Sequence, residues 1–199
     1  MEARLLSTFL LLPILLGAAA AAAASTDFIK KSCNTTTYPS LCYSSLSPYA
    51  GAINSDPWKL CSYALKVSLS YANKTTAAIT KQSNSTSLTK AEKAAVEQCE
   101  ETMADSVDHL KQSVQVMSAI VQARSSGSSS TASASSNLEF QVSNVKTYAS
   151  AAITDYSTCL DGLEEMKVRA GLKKQIVKWE SAVERLTSNA LSLVNKLNY

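Results

Sequence analysis

Apolar positions recur along this chain at alternating intervals of three and four, and four stretches hold that rhythm long enough to specify long helices. In one of them Leu138, Val142, Val145, Ala149, Ala152, Tyr156, Cys159, Leu163 and Met166 step by 4, 3, 4, 3, 4, 3, 4 and 3. This is one unbroken apolar seam on a 3.6-residue period. A second seam runs Val96, Cys99, Met103, Val107, Leu110, Val114, Met117, Val121, and a third runs Leu172, Ile176, Trp179, Val183, Leu186, Ala190, Leu193, Leu197. A fourth face carries Trp58, Cys61, Leu65, Ala72 and Ile79. No stretch alternates with the period of a strand.

Local signals set the boundaries. Asp56-Pro57 is an N-cap followed by proline at the first helical position, opening a helix to about Gln82. After a polar turn over Ser83–Leu88, Thr89 and Glu92 make a capping-box pattern, and a helix follows to about Ala123. Ser125 to Ser136 is nearly all serine, alanine and glycine and reads as a flexible linker. The next helix starts at Asn137 and ends near Arg169-Ala170-Gly171. Four long amphipathic helices with short connections predict an all-α, up-down-up-down four-helix bundle. Ahead of them, residues 26–50 read as a helical hairpin turning at Tyr38-Pro39.

The N-terminus reads as a leader rather than as part of the bundle. Arg4, an apolar run from Leu5 to Leu16 and a small-residue tail from Gly17 to Ala24 have the layout of a signal peptide, with cleavage near Ala24–Ser25. The apolar run is short of the roughly 18 residues a membrane span needs. Removing residues 1–24 from 199 leaves 175, and takes one base (Arg4) and one acid (Glu2), so the net charge stays +3. The remaining single domain is then 25–199. Both signs of charge are scattered, which argues against a nucleic-acid partner. After cleavage no membrane segment is expected.

Five cysteines in a secreted chain imply two disulfides and one spare thiol, with fifteen possible ways of making two bridges. The local pair Cys33–Cys42 would staple the hairpin. Cys99 and Cys159 both sit on helix seams, so a bridge between them would join two helices through the core. That pairing leaves Cys61 as a small buried hydrophobe. Asn34, Asn73 and Asn84 each head an acceptor sequence for N-glycosylation, which suits the same compartment.

Catalytic constellations are missing. The single histidine, His109, falls on a polar flank, and neither a nucleophile elbow, a metal-binding His/Cys cluster nor a phosphate loop is present. Neighbouring carboxylates such as Glu100-Glu101 and Glu164-Glu165 diverge by about 100° on a helix and do not converge on one atom. No catalytic residue, cofactor or metal is assigned. Two polar stripes remain. Glu101, Asp105 and Asp108 form an acidic ridge off the core seam, and Thr154, Asp155, Thr158 and Asp161 flank Cys159. Either is a solvated helix face or a surface that meets a partner protein.

Four segments together resemble the plant pectin methylesterase inhibitor and invertase inhibitor family. They are Cys33-Asn-Thr-Thr-Thr-Tyr38-Pro39-Ser-Leu41-Cys42, Cys99 with Asp105-Ser106-Val107-Asp108 and Leu110, Thr147-Tyr148 through Thr158-Cys159, and Ser188-Asn189-Ala190-Leu191-Ser192-Leu193. The resemblance implies a four-helix bundle with an N-terminal hairpin and cysteines paired first to second and third to fourth. It also implies stoichiometric inhibition in the cell wall, without chemistry of its own. The expected partner is a pectin methylesterase, whose pectin-binding cleft the inhibitor covers, and the alternative is an acid invertase. Val142-Ser143-Asn144 lacks the Pro-Lys-Phe common in invertase inhibitors, and the run from Asn144 to Thr154 resembles the esterase-inhibitor branch. Met103 stands where an aromatic residue is usual, and His109 where acids are common. A storage or wall-structural bundle is a further reading. A detached pro-region of a pectin methylesterase is disfavoured, since no catalytic domain follows Tyr199.

Overall fold

The computed structural model describes residues 23–127 and 132–199. Helix α1 covers residues 23–33 and is followed by α2 (Pro39–Leu46), a 3-10 turn (Ser47–Tyr49) and α3 (Ala50–Ile53). Four long helices come next: α4 (Pro57–Ser83), α5 (Lys90–Ser125), α6 (Ala132–Glu165) and α7 (Ala170–Val194). Most of the signal-peptide segment lies outside the described residues; Ala23 and Ala24 are helical and run on into α1.

The caps form as their residues require. Asp56 accepts the backbone N–H groups of Trp58 and Lys59 at 2.8 and 3.2 Å, with Pro57 at the first helical position. At the start of α5 the Glu92 N–H donates to Thr89 Oγ1 and the Thr89 N–H to the Glu92 carboxylate, a reciprocal capping box. Ser25 is buried; its hydroxyl donates to the Ala50 carbonyl and accepts the Ser55 N–H, where Asn54 and Ser55 both adopt positive φ.

The long helices pack in a ring, α4 on α5, α5 on α6, α6 on α7 and α7 back on α4. The α5–α6 pair shows the register plainly. Cys99 is bridged to Cys159; one heptad further along α5, Ser106 Oγ donates to the Ala152 carbonyl at 3.1 Å; one heptad beyond that, Ser113 Oγ donates to Val145 at 3.1 Å. Positions climb on α5 as they fall on α6, so the two helices run antiparallel with a seven-residue repeat. Serine at the seam keeps the backbones close and supplies its own buried hydrogen bond.

The hairpin is fastened at one end of the ring. Cys33 is bridged to Cys42 with Cα atoms 5.5 Å apart. Asn189 on α7 holds Tyr38, and Lys196 Nζ donates to the Thr35 carbonyl at 2.6 Å. Two apolar clusters fill the interior. One, with Trp58, Leu65, Met117 and Leu193, lies beneath the hairpin; the other, with Met103, Tyr156 and Ile176, surrounds Cys99–Cys159. Met103 and Met117 are core packing, and Cys61 is buried with a free thiol whose ionisation burial suppresses.

Three boundaries differ from the reading of the pattern. The expected linker over 125–136 is shorter: Gly127, at φ 72, turns the chain out of α5, and residues from Ala132 are already helical. Serine and alanine continue a helix readily once the rest of it is docked. Residues 128–131 of that linker lie outside the described residues. Second, α6 ends at Glu165 rather than near 169–171, because Arg169 is the N-cap of α7. There its backbone N–H donates to the Glu92 carboxylate at 3.2 Å and its guanidinium lies 3.5 Å from it, so α7 starts against the start of α5. Third, the far end of the α5 seam rotates: Ser113 and Ile120 are buried, while Val114 and Val121 are only half-buried.

Candidate functional site

The two polar stripes lie on adjacent antiparallel helices, and the register that sets 99 against 159 and 106 against 152 brings them to overlapping heights on the bundle. Glu101, Asp105 and Asp108 are all exposed on α5, and Thr154, Thr158 and Asp161 are exposed on α6. Asp108 is taken up by Lys111 at 2.8 Å, so Glu101 and Asp105 are the carboxylates of the ridge that make no ion pair among the described residues. The hydroxyls of Thr154 and Thr158 donate to carbonyls one turn back, at Ser150 and Thr154.

Asp155 departs from its stripe. Its side chain is only 20% exposed and its carboxylate lies 2.8 Å from His109 Nδ1, across the α5–α6 groove. His109 is therefore not a solvated flank residue but a link between the two helices beneath the stripes. A carboxylate on one ring nitrogen is the orienting half of a catalytic arrangement, which also needs a nucleophile on the other nitrogen. Among the described residues no hydroxyl or thiol hydrogen-bonds there. The pair ties α5 to α6.

Glu180 is the polar residue that the apolar pattern hides. Its side chain is 0% exposed, and neither carboxylate oxygen has a hydrogen-bond partner among the described residues. Burial pushes its carboxyl up to about 8. One of its oxygens and the sulfurs of Cys99 and Cys159 all lie within 4.8 Å of one another. The sulfurs are spent on each other as a disulfide and are not available as thiolate ligands. The Tyr156 hydroxyl, also buried, is pushed up to about 12, chiefly by burial, with Glu180 contributing. The seam Ile176, Trp179, Val183 steps 3 then 4, yet Ile176, Glu180, Val183 steps 4 then 3 and fits the same face equally well. Spacing alone admits either Trp179 or Glu180 to the core; the structure buries Glu180 and leaves Trp179 half-buried.

The three asparagines of the acceptor sequences are all exposed, in different settings. Asn34 lies in the turn after α1, Asn84 caps the end of α4, and Asn73 sits mid-helix with its amide donating to Leu69 and Thr75 buried beneath it. Among the described residues no helix is long and apolar enough to cross a membrane.

The profile of one protein family, described as plant invertase/pectin methylesterase inhibitor, matches residues 27–193. The chain belongs to that family. It is 38% identical over 172 residues to pectinesterase inhibitor 3 of Arabidopsis thaliana, covering 86% of this chain and 80% of that protein. It is 37% identical over 171 residues to a 21 kDa protein of Daucus carota, covering 86% and 83%. Among solved structures it is similar to mutant form A of a pectin methylesterase inhibitor from Arabidopsis, with a TM-score of 0.61 and 16% identity over 83% of this chain and 94% of that one. At that identity the likeness carries the fold. Within this member of the family, several motif residues have structural tasks: Asn189 and Tyr38 fasten the hairpin, and Ser106 joins α5 to α6. These motif residues serve the scaffold.

Proposed function

We propose that this chain is a secreted inhibitor that binds a plant pectin methylesterase one to one and covers its pectin-binding cleft, limiting demethylation of cell-wall pectin. Membership of the inhibitor family over 27–193 carries this reading, together with relatives named as pectinesterase inhibitors. Residues 1–24 are removed as a signal peptide, and 25–199 act in the apoplast as one inhibitory domain. The protein is not an enzyme: it works by steric exclusion, which asks for rigidity rather than for reactive groups.

The exposed Glu101–Asp105–Asp108 ridge and the α6 face of Thr154, Thr158 and Asp161, with Asp155 supporting it from the His109 pair, are the docking surface. Two adjacent antiparallel helices, braced by Cys99–Cys159 and by His109–Asp155, present it as a firm edge. A pre-organised surface loses little conformational freedom on binding. The acidic side chains meet a basic or polar rim, so the affinity falls as salt rises.

An acid invertase is the second reading, because the family description names both targets. Adding the purified protein to a plant pectin methylesterase and, in parallel, to an acid invertase decides the matter. Loss of demethylation with sucrose hydrolysis intact is the expected result. The reverse outcome reassigns the target, and inactivity on both sinks the inhibitor reading.

A further inference from the structure

The outer face of α4 carries a second feature that the inhibitory reading does not use. Tyr63, Lys66, Tyr71 and Lys74 recur at helical spacing on this face, and the 3-10 turn brings Tyr49 against Tyr63 with ring centroids 5.1 Å apart. Between them lies an open groove of about 470 Å³ whose walls are these tyrosines, the two lysines, serines such as Ser45, and the apolar Pro48 and Val67. Tyr49 and Tyr71 are 41% and 44% exposed, unusually open for large rings. Lys66 Nζ lies 5.4 Å from the Tyr63 ring centre and Lys74 Nζ 5.4 Å from that of Tyr71. No acidic residue lines the groove, and neither lysine forms an ion pair among the described residues.

We propose that this groove is a second binding site, for an acidic oligosaccharide of the oligouronide class. Its chemistry matches each part of such a ligand. Tyrosine rings are rigid, amphipathic faces on which the C–H face of a sugar ring packs at small entropic cost. Serine and tyrosine hydroxyls exchange hydrogen bonds with sugar hydroxyls. The two unpaired ammonium groups answer to carboxylates. Lys66 and Lys74 are eight residues apart, about 12 Å along the helix axis at 1.5 Å per residue. Repeated charge on the ligand, rather than a single anion, suits that separation.

Two cations are too few to neutralise a phosphodiester backbone, and the chain's other bases are scattered, so a nucleic acid fits poorly. An acidic protein segment is the competing occupant, since Pro48 and Val67 also line the groove, but the flat tyrosine faces favour the C–H face of a sugar ring. The groove is formed by α2, the 3-10 turn and α4, whereas the proposed enzyme-facing surface lies on α5 and α6.

The test is calorimetric titration of the secreted protein with a de-esterified oligouronide, its methyl-esterified form, a neutral cello-oligosaccharide, a single-stranded oligonucleotide and a polyglutamate peptide. The acidic oligosaccharide is expected to bind at least tenfold more tightly than any of the others. The pair Lys66→Ala/Lys74→Ala and, separately, Tyr71→Ala should each weaken it tenfold, with circular dichroism and inhibition of pectin methylesterase unchanged. Absence of binding by the unaltered protein, affinity unmoved by these substitutions, or preference for the oligonucleotide or peptide overturns the proposal. Inhibition measured on the same samples reports on the enzyme-blocking face separately, so either idea can fail without the other.

Discussion

Asn189 grips the backbone of Tyr38 with both ends of its side-chain amide, Oδ1 accepting the N–H at 2.8 Å and Nδ2 donating to the carbonyl at 3.0 Å. The two residues are 151 positions apart, and the contact fixes the turn of the N-terminal hairpin to α7. Asn189 itself is buried, so loss of its amide leaves both backbone groups of Tyr38 without these partners. Asn189→Leu should cost about 1–3 kcal/mol of unfolding free energy in urea. Asn189→Asp keeps the acceptor but turns a second oxygen toward the Tyr38 carbonyl in a buried position, and should cost at least as much as Asn189→Leu. Equal stability of all three proteins would show that the clamp contributes nothing.

Glu180 makes the fold sensitive to alkali. Its carboxyl is raised from 4.5 to about 8 in the folded protein, so between those values the folded chain holds a proton that the unfolded chain has released. Stability therefore falls as pH rises through this window and levels off above it, by up to about 5 kcal/mol. Glu180→Gln removes the titration and should flatten the profile, leaving the variant the more stable form at pH 8.5. Parallel denaturation profiles for the two proteins from pH 5 to 8.5 would contradict the account. Glu92 acts in the opposite sense. The Thr89 backbone N–H, above all, holds its carboxyl below the usual range, so its stabilisation is present above that range and lost in acid.

The Cys99–Cys159 bridge closes a loop of 60 residues, for which chain entropy gives about 4 kcal/mol. Replacing both cysteines by alanine should lower stability by that order in equilibrium unfolding while leaving the helix content intact. The Ser106 and Ser113 hydrogen bonds still hold α5 to α6 in that variant. Adding Ser106→Val should lower stability further, and no additional loss would show that this contact does not matter.

On the proposed docking face, Glu101 and Asp105 are exposed and make no ion pair among the described residues, so their substitution should spare the fold. Glu101→Lys with Asp105→Lys is expected to weaken inhibition of pectin methylesterase tenfold or more, with thermal stability changed by less than about 0.5 kcal/mol. In the unaltered protein the inhibition constant should rise with added salt. Undiminished inhibition by the double variant would move the docking face elsewhere.

Periodicity, caps and cysteine placement were enough to define this protein's helices and the all-α bundle they build, because a 3.6-residue seam and a capping box are local and short-ranged. The seams of α4 to α7 are buried almost throughout, and α4 and α5 begin where Asp56 and Thr89 signalled. Beyond the Cys99–Cys159 bridge, what happens between helices was decided by the tertiary structure. It paired His109 with Asp155, placed Arg169 on Glu92 to start α7, and buried Glu180 beside a disulfide. These depend on axial register and rotation, which side-chain volumes and buried hydrogen bonds on several helices settle jointly. A one-dimensional pattern carries the face a residue occupies; the partner it meets on that face exists only once the chain has folded.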